Sequence, residues 1–459
     1  MNLDSKTLHD RDIEHNIHFL TDLKRHQLIG PTVITRGEGI RVFDEKGNGY
    51  IDTVSGLWSA ALGFDNERLA KAAYQQLRQL PFYHLFNHKS HPNVIELAER
   101  LKSIAPVPMS KVLFQCSGSE AIDTACKLIW YYYKSIGNPE KRKIIGRKGS
   151  YHGATVAAAS LSGETQIHRD FNLPLYPFIH TSFPHFSREA EEHESEEQFS
   201  SRMAYELEQL ILAENPDHCA AFFAEPVQIS AGVIIPPYRY FKKIQKILRK
   251  YDLLFVVDEV ATGFGRTGKM WGSEIYELNP DMLICAKALT ASFMPVSALL
   301  VNEKIYQSML AESEKSGVFS HGFTYGAHPV GTAVALETLK IFAEQEIIEH
   351  VQLICPIFQE YMKKLEEHPL VGEVTGLGLM GGLEIVRDKK SRTFFDSKLK
   401  VTRLIEEQSF KRGLIVRGMG ERIALAPPLI TSEKELIEIF QRFTAALDET
   451  YSEISTPTL

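Results

Sequence analysis

Short apolar segments alternate with longer amphipathic ones along the middle of the chain, from about residue 64 to residue 327. The apolar segments lie at 111–114, 143–146, 219–224, 253–257, 282–285 and 298–301, and helical patterns occupy stretches such as 67–79 and 94–104. Strands that are apolar on both sides are typical of parallel sheets that helices cover on both faces. The alternation therefore predicts an α/β fold with a mainly parallel central sheet.

The pattern changes at about residue 328. A long helix is predicted over 329–344, and mixed helices and strands follow it. Near the N-terminus, a helical arm precedes a predicted hairpin over 40–52, whose turn contains Gly47 and Asn48 between β-rich flanks. We therefore expect a large domain over 63–327 and a smaller α+β domain over 328–459, which the segment 1–62 joins.

The composition of the chain excludes some classes of function. Its formal net charge is −7, whereas a nucleic-acid surface is normally basic. Its five cysteines show no C-x-x-C spacing, which is typical of reduced thiols. The N-terminus lacks the apolar core of a signal peptide, and no apolar run approaches the ~20 residues that span a bilayer. The expected location is therefore the cytoplasm, with neither a membrane nor a nucleic acid as partner.

Two apolar strands end in residues that can carry chemistry. Asp258 and Glu259 follow the strand at 253–257, and Lys287 follows the strand at 282–285, about one strand–helix–strand unit later. In open α/β sheets, ligands bind at the carboxyl ends of the strands. A desolvated lysine forms imines with carbonyl compounds. For each segment alone, a surface turn or a lysine with an exposed tail is the alternative interpretation.

Two further segments are expected at the same edge of the sheet. The strand at 111–114 runs through Ser117, Gly118 and Ser119 into a helix, and such a junction binds phosphate through free N–H groups. Tyr151 follows the strand at 143–146 and can stack on a flat cofactor. An N-cap serine and a core tyrosine are the alternatives for each alone. Together, a phosphate cradle, an aromatic ring, an acid and an imine-forming lysine are the parts that pyridoxal 5′-phosphate (PLP) requires.

Two other patterns are set aside. The glycines at 263–268 and 376–381 match G-x-G-x-x-G but lack the strand–turn–helix context of a dinucleotide site. His84, His88 and His91 are close in sequence, but no nearby cysteine or acid completes a set of metal ligands. Neither an NAD-linked oxidoreductase nor a metal centre is therefore expected.

The motifs, in their order along the chain, resemble those of a known family. They are SGSEA at 117–121, YHG at 151–153, AEPVQ at 224–228, DEVATGFGRTG at 258–268, AK at 286–287 and HGFTYGAHP at 321–329. Nearly the whole chain resembles the class III (subgroup II) aminotransferases of PLP fold type I, in particular the (S)-selective ω-transaminases, or amine:pyruvate aminotransferases. The segment 288–293 departs from the glycine-rich turn that is common after the lysine in that family.

The resemblance implies roles for the residues of these motifs. Lys287 would bind PLP as a Schiff base and shuttle the substrate proton, and Asp258 would pair with the pyridine nitrogen. Tyr151 and Val260 would pack on the two faces of the ring. The active form would be a homodimer, or a dimer of dimers, with shared sites. The other cofactor contacts that the resemblance implies are Ser117, Gly118, Ser119, His152, Glu225, Gln228 and, reaching into the neighbouring subunit, Thr324.

The resemblance also implies an amine pocket. Trp58 and, across the dimer, Phe86 would form its walls, and a mobile Arg417 would bind the carboxylate of amino or keto acids, unless it is a surface arginine at a strand end. Relatives that act on ornithine or 4-aminobutyrate generally carry a glutamate shortly after EPxQ, where this chain has Ile229 and Ser230. This difference favours amine:pyruvate transfer with ping-pong kinetics. Another PLP activity on the same fold, such as that of an aminomutase, decarboxylase or lyase, is the alternative.

Overall fold

A seven-stranded sheet lies at the centre of the protein. The structure, a computed structural model, describes residues 7–455. The strands are β1 (Ile34–Glu38), β2 (Arg41–Asp44), β3 (Gly49–Asp52), β4 (Lys111–Gln115), β5 (Lys143–Arg147), β6 (Phe178–Thr181), β7 (Cys219–Ala224), β8 (Leu254–Asp258), β9 (Met282–Cys285), β10 (Ser297–Val301), β11 (Val371–Leu377), β12 (Met380–Ile385), β13 (Leu414–Ile415), β14 (Arg417–Met419) and β15 (Arg422–Leu425). The α-helices are α1 (Leu8–His15), α2 (Leu23–Ile29), α3 (Ser55–Trp58), α4 (Glu67–Gln79), α5 (Pro92–Ile104), α6 (Gly118–Ser135), α7 (Val156–Leu161), α8 (Thr165–Phe171), α9 (Phe186–Glu189), α10 (Glu196–Ala213), α11 (Tyr240–Lys250), α12 (Gly272–Ile275), α13 (Glu303–Ser316), α14 (Pro329–Glu344), α15 (Ile347–Lys364), α16 (Val401–Lys411) and α17 (Glu433–Ser455).

The strand order of the central sheet is β4-β10-β9-β8-β7-β5-β6. β10 is antiparallel to β4 and β9, and the other pairs are parallel, so the mainly parallel sheet is confirmed. The six predicted strands differ from the observed ones by at most one residue at either end. β6 was not predicted, because this edge strand has only four residues and its two middle positions are partly exposed.

Parallel strands bring their carboxyl ends to one edge of the sheet. Every residue of β7, β8 and β9 is buried, since helices cover both faces. Polar side chains therefore follow only where the strands end. Asp258 is the last residue of β8 and is paired in register with Ile284 of β9, shortly before Lys287. The fold thus places the predicted acid and lysine at one edge.

Two four-stranded sheets complete the architecture, with orders β1-β2-β3-β13 and β11-β12-β15-β14. The predicted hairpin over 40–52 is confirmed by the antiparallel pairing of β2 with β3. β13 runs parallel to β3, with Leu414 opposite Ile51. This pairing joins the N-terminal segment to the C-terminal part, as expected, while the domain boundaries stay a prediction. Within residues 7–455, none of the helices combines the length and the apolar character needed to cross a bilayer.

Candidate active site

A cavity of about 440 Å³ lies at this edge of the central sheet. It is lined by most of the residues that the sequence had indicated. Those that line it are Trp58, Ser117, Gly118, Ser119, Tyr151, His152, Glu225, Ile229, Asp258, Val260 and Lys287. The fold therefore brings together segments from β4 through β9, as the strand-end argument predicts.

Lys287 projects from a strained position directly after β9. Its φ is +49°, a left-handed conformation that is uncommon for a residue other than glycine. Burial lowers the pKa of the Lys287 amino group to about 8, and the carboxyl groups of Asp258 and Glu225 partly oppose this change. A lysine with such a pKa can be neutral near physiological pH, and a neutral amine acts as a nucleophile or a base.

We expect the amine reactivity of Lys287 to rise through about pH 8 in the PLP-free protein. In the folded protein the pKa of Lys287 lies below the ~10.4 of an ordinary lysine. Deprotonation and acylation of Lys287 should therefore begin at a lower pH than in the unfolded chain. Pulsed acetic anhydride labelling, read by mass spectrometry of the peptide that contains Lys287, measures this profile. The same peptide in urea supplies the control. Coincident profiles for the folded and unfolded chain would contradict the prediction.

The carboxylate of Asp258 is fixed by two hydrogen bonds. Its Oδ2 accepts from Nδ1 of His152 at 2.8 Å, and its Oδ1 accepts from the backbone N–H of Val260 at 3.0 Å. The side chains of Asp258 and His152 are 4% and 0% exposed. The bond from Nδ1 sets the tautomer of a neutral imidazole, and Nε2 of His152 has no hydrogen-bond partner among the described residues. The pair presents a buried negative charge to the cavity in a single orientation.

Glu225 lies at the end of β7 beside this pair. Burial raises the pKa of its carboxyl group to about 8; the Arg147 guanidinium opposes this rise and the charge of Asp258 adds to it. Glu225 Oε1 accepts from the backbone N–H of Tyr151 at 3.3 Å, and Arg147 donates to the Glu225 carbonyl at 2.6 Å. Because Glu225 is largely protonated at neutral pH, it can donate a hydrogen bond into the cavity.

The junction between β4 and α6 forms a cradle for an anion. Ser117 caps α6 in a capping box with Glu120, in which Ser117 Oγ accepts from the Glu120 N–H at 3.2 Å. The first turn, with Gly118 and Ser119, then presents backbone N–H groups at the positive end of the helix dipole. Gly153, with φ of +140°, lies so close that a Cβ would be 2.9 Å from the Cα of Ser119. A side chain at Gly153 would therefore disturb this cradle.

The turn after Lys287 is built without the glycines that are common in the resembled family. Ala291 and Ser292 both adopt left-handed conformations, with φ of +46° and +70°. Thr290 Oγ1 closes the turn by donating to the carbonyl of Met294 at 2.6 Å. The sequence departure thus leaves the turn in a conformation that glycine usually provides, at a cost in backbone strain.

Four of the predicted residues do not line the cavity. Gln228 instead donates from Nε2 to the Lys148 carbonyl at 2.9 Å. Phe86 is 45% exposed and packs near Gly322, and Thr324 is also exposed on the surface of the chain. Arg417 lies half-buried at the start of β14. Burial lowers the pKa of Lys287, and the charge of Arg417 adds to this effect. Burial raises the pKa of Tyr151, and the charge of Arg417 opposes this effect.

Glu164 lies beside the site, where its charge acts on Tyr151 and Glu225, and sequence reasoning missed it. It is the N-cap of α8 and follows Gly163, whose N–H donates to the Ser150 carbonyl at 2.8 Å, next to Tyr151. Burial raises the pKa of the Glu164 carboxyl to about 7, and the Arg417 guanidinium opposes this rise. The side chain of Glu164 therefore lies within electrostatic reach of Arg417. A single acid in a short polar loop gives no pattern that could have revealed it.

Comparison with known proteins now assigns the family, because the model described as Aminotransferase class-III matches residues 23–447. The chain belongs to the class III aminotransferases. It is 46% identical over 426 residues to a probable gamma-aminobutyrate transaminase 3, mitochondrial, of Oryza sativa subsp. indica, a match that covers 93% of this chain and 84% of that protein. The ω-transaminase of Pseudomonas jessenii in complex with PMP is 47% identical, with a TM-score of 0.97 and coverage of 98% and 99%. The PMP-bound aminotransferase of Vibrio fluvialis is 39% identical, with a TM-score of 0.96 and coverage of 98% and 99%.

This class III aminotransferase is therefore a PLP-dependent enzyme of fold type I that transfers amino groups. The residues of its cavity fit that cofactor. The cavity combines a lysine whose pKa is about 8, a buried carboxylate, and a helix N-terminus where Gly118 and Gly153 permit close approach. A cationic ring nitrogen, an aldehyde and a phosphate each meet a group of suitable chemistry there.

Proposed function

We propose that this aminotransferase moves the amino group of a primary amine or an ω-amino acid to pyruvate, or to a similar keto acid, in a ping-pong reaction. The observation that carries the proposal is the presence of buried, apolar Trp58 and Ile229 in the lining of the same cavity as the cofactor residues. An apolar wall accepts an uncharged amine substituent at little desolvation cost. The absence of an acid at 229–230 leaves Arg417 without the partner that the glutamate would provide.

The relatives support an amine or ω-amino acid as donor. The rice relative is named as a gamma-aminobutyrate transaminase, and gamma-aminobutyrate is an ω-amino acid. A variant of the Pseudomonas jessenii enzyme with the substitutions W58M, F86L and R417L was engineered for asymmetric synthesis of enantiopure bulky amines. This chain has Trp58, Phe86 and Arg417 at the same numbers. These positions are therefore the proposed determinants of substrate size and of carboxylate binding.

PLP, when bound, supplies the electron sink for the charge that a departing substrate proton leaves behind. We assign the cofactor contacts to the cavity residues. Asp258, held by His152, provides a fixed negative charge for the ring nitrogen. The α6 N-terminus at Gly118 and Ser119 binds the phosphate, and Tyr151 and Val260 enclose the ring. Lys287 takes the proton from the substrate carbon and returns it, since its amino group is neutral in a substantial fraction of molecules near pH 8.

Arg417 is the proposed anchor for the carboxylate of the keto acid. Its charge acts on the nearby carboxyl groups of Glu164 and Glu406, and its fork of N–H donors matches a carboxylate. The half-buried position permits the side chain to turn toward the cavity for a keto acid and away from it for an amine. In the conformation that the structure shows, the charge of Arg417 acts on both Lys287 and Glu164.

Arg417→Leu is expected to separate the two half-reactions. Hydrogen bonds to a charged group contribute about 1.5–3 kcal/mol, so kcat/KM for pyruvate should fall by about tenfold to a hundredfold, mainly through KM. The half-reaction with an arylalkylamine that lacks a carboxylate should change by less than about threefold. Single-turnover spectra with each substrate measure the two rates. Arg412→Leu, at an arginine bound to Gln408 and Glu449 on the surface, is the control. An equal loss with both substrates would contradict the assignment.

An amine panel with pyruvate tests the function itself. We expect alanine and the corresponding ketone in equal amounts, with both enantiomers of a chiral arylalkylamine tested separately. Release of carbon dioxide would indicate a decarboxylase, release of ammonia without alanine a lyase, and an isomeric amine an aminomutase. Any of these outcomes in place of alanine would overturn the proposal.

Two further properties are part of the proposal. Phe86 and Thr324 lie on exposed loops outside their own cavity, which supports a homodimer in which each subunit extends these loops toward the site of the other. All five cysteines are unpaired, which supports a reducing compartment such as the cytoplasm. Sedimentation analysis of the wild type and of Phe86→Asp tests the first; a monomeric wild type would contradict it.

A further inference from the structure

Three side chains of the N-terminal arm, residues 8–29, converge outside the cavity. Asp12 belongs to α1, His26 belongs to α2, and His18 lies in the segment between these helices. One carboxylate oxygen and one nitrogen from each imidazole all lie within 4.8 Å of one another. Asp12 Oδ2 is 2.7 Å from Nε2 of His18 and 3.3 Å from Nε2 of His26. The two imidazole centroids are 4.0 Å apart.

Only one of the two imidazole nitrogens that face Asp12 forms a hydrogen bond with it. His18 Nε2 donates to Asp12 Oδ2, but Nε2 of His26 has no hydrogen-bond partner among the described residues. His26 is 8% exposed, so solvent does not readily replace that partner. Its contact with Asp12 Oδ2 at 3.3 Å is an ion-pair distance but not a formed hydrogen bond, and a cation bound between these atoms would use both. The nitrogen faces the same oxygen that His18 uses.

We propose that Asp12, His18 and His26 form a binding site for a divalent transition-metal cation such as Zn²⁺. Two imidazole nitrogens and one carboxylate oxygen are a usual set of three protein ligands for zinc, with a fourth position for water. Mg²⁺ and Ca²⁺ fit less well, because they prefer oxygen ligands. Of the histidines at 84–91, His91 caps α5 and bonds to the Ala327 carbonyl.

The distances are compatible with this ion after a small movement. Tetrahedral ligands at ~2.0–2.1 Å from zinc lie ~3.3 Å from one another. The separation of His26 and Asp12 already has this value, while His18 must withdraw from Asp12 by about half an ångström. The ligand nitrogens of His18 and His26 lie within 4.8 Å of each other, so the two imidazoles must also approach to this separation. His18 is 33% exposed and lies in the segment between α1 and α2, with its ring packed on that of His26.

Neighbouring contacts orient the ligands and connect the site to the rest of the protein. Asn16 Nδ2 donates to Asp12 Oδ1 at 2.6 Å, which leaves Oδ2 for the ion. Arg25, next to His26, pairs with Glu407 of α16 at 2.7 Å. A metal ion here would fasten α1 to α2 and, through that ion pair, hold the arm against the C-terminal part of the chain.

The test uses the tag-free, PLP-loaded enzyme after treatment with a chelator, with Zn²⁺ alone as the probe and no amine present. Competition with a chromophoric chelator gives the affinity, and elemental analysis after gel filtration gives the stoichiometry. We expect one tightly bound zinc per chain, and Co²⁺ should give visible ligand-field absorption. His18→Gln and Asp12→Asn should each weaken binding by at least about tenfold, as ligand losses do.

His15→Gln is the matched control, because His15 is an exposed histidine of the same arm outside the cluster. It should bind zinc as the wild type does, and all three variants should keep wild-type transaminase activity, which shows that they fold. A wild type that retains no zinc would overturn the proposal. Equal affinity of the wild type and both ligand variants would overturn it as well. Neither result depends on the proposed amino donor.

Discussion

Lys287→Ala is expected to lower the rate of amino transfer by about 10²–10⁴-fold, the usual contribution of a positioned acid–base group. The variant removes the amino group whose pKa burial lowers to about 8, and with it the base that we propose moves the substrate proton. The backbone should tolerate the change, since lysine and alanine are about equally disfavoured at the left-handed φ of this position. The loss should therefore appear in turnover and hardly in the thermal unfolding midpoint.

Lys287→Arg sharpens this prediction. Arginine keeps the positive charge and much of the length, but its guanidinium does not lose a proton in proteins, so it cannot act as the base. Both variants should therefore show the same loss of about 10²–10⁴-fold, while Lys269→Ala, at an exposed lysine elsewhere, should be fully active. Alanine formation measures the rates, and borohydride reduction followed by peptide mass spectrometry locates the cofactor. Turnover above a tenth of the wild-type rate in Lys287→Arg would disprove the proton-transfer role.

The parts of the fold that the sequence predicted are those that burial dictates. The strands of the central sheet are apolar on both faces, so their pattern is continuous and their ends are marked by the first polar residues, Asp258 and Lys287 among them. The edge strand β6 was missed because its burial is partial. Periodicity therefore indicated the strands in the interior of the sheet better than the strand at its edge.

The sequence predicted the site residues that belong to motifs at strand ends. It did not predict those whose position depends on tertiary contacts. The sequence placed Asp258 and Glu259 together as acids at one strand end, but their side chains have different surroundings. Glu164 reaches the site through the pairing of Gly163 with Ser150, and His18 meets His26 only because α1 and α2 fold back on each other. Such encounters depend on loop geometry, which no local pattern specifies.

Asp258→Asn is expected to lower kcat by about 10²–10⁴-fold. The substitution replaces by a neutral amide the buried carboxylate that we propose balances a positive charge on the cofactor ring nitrogen. Breaking a buried charge pair costs roughly 3–5 kcal/mol, and each 1.4 kcal/mol corresponds to a factor of ten in rate. Loss of the ring proton should relieve this cost at the expense of the electron sink. The visible absorption of the bound cofactor should then change together with the rate.

Glu259→Gln is the matched control for this prediction, because the neighbouring acid is equally buried but turned away from the cavity. Its Oε1 accepts from the N–H and the hydroxyl of Ser273, both at 2.6 Å, and its Oε2 accepts from the N–H of Gly272 at 3.0 Å. The amide should leave one of these donors unsatisfied and reduce the free energy of unfolding by about 1–3 kcal/mol, while kcat and the cofactor spectrum change little. Asp258→Asn should show a much larger loss of rate and no greater loss of stability, because a neutral His152 can change tautomer and accept from the new amide while the Val260 N–H keeps its acceptor. If both variants lost rate and stability in the same proportion, the carboxylate of Asp258 would be structural, and the charge balance at the ring nitrogen would have to come from another group.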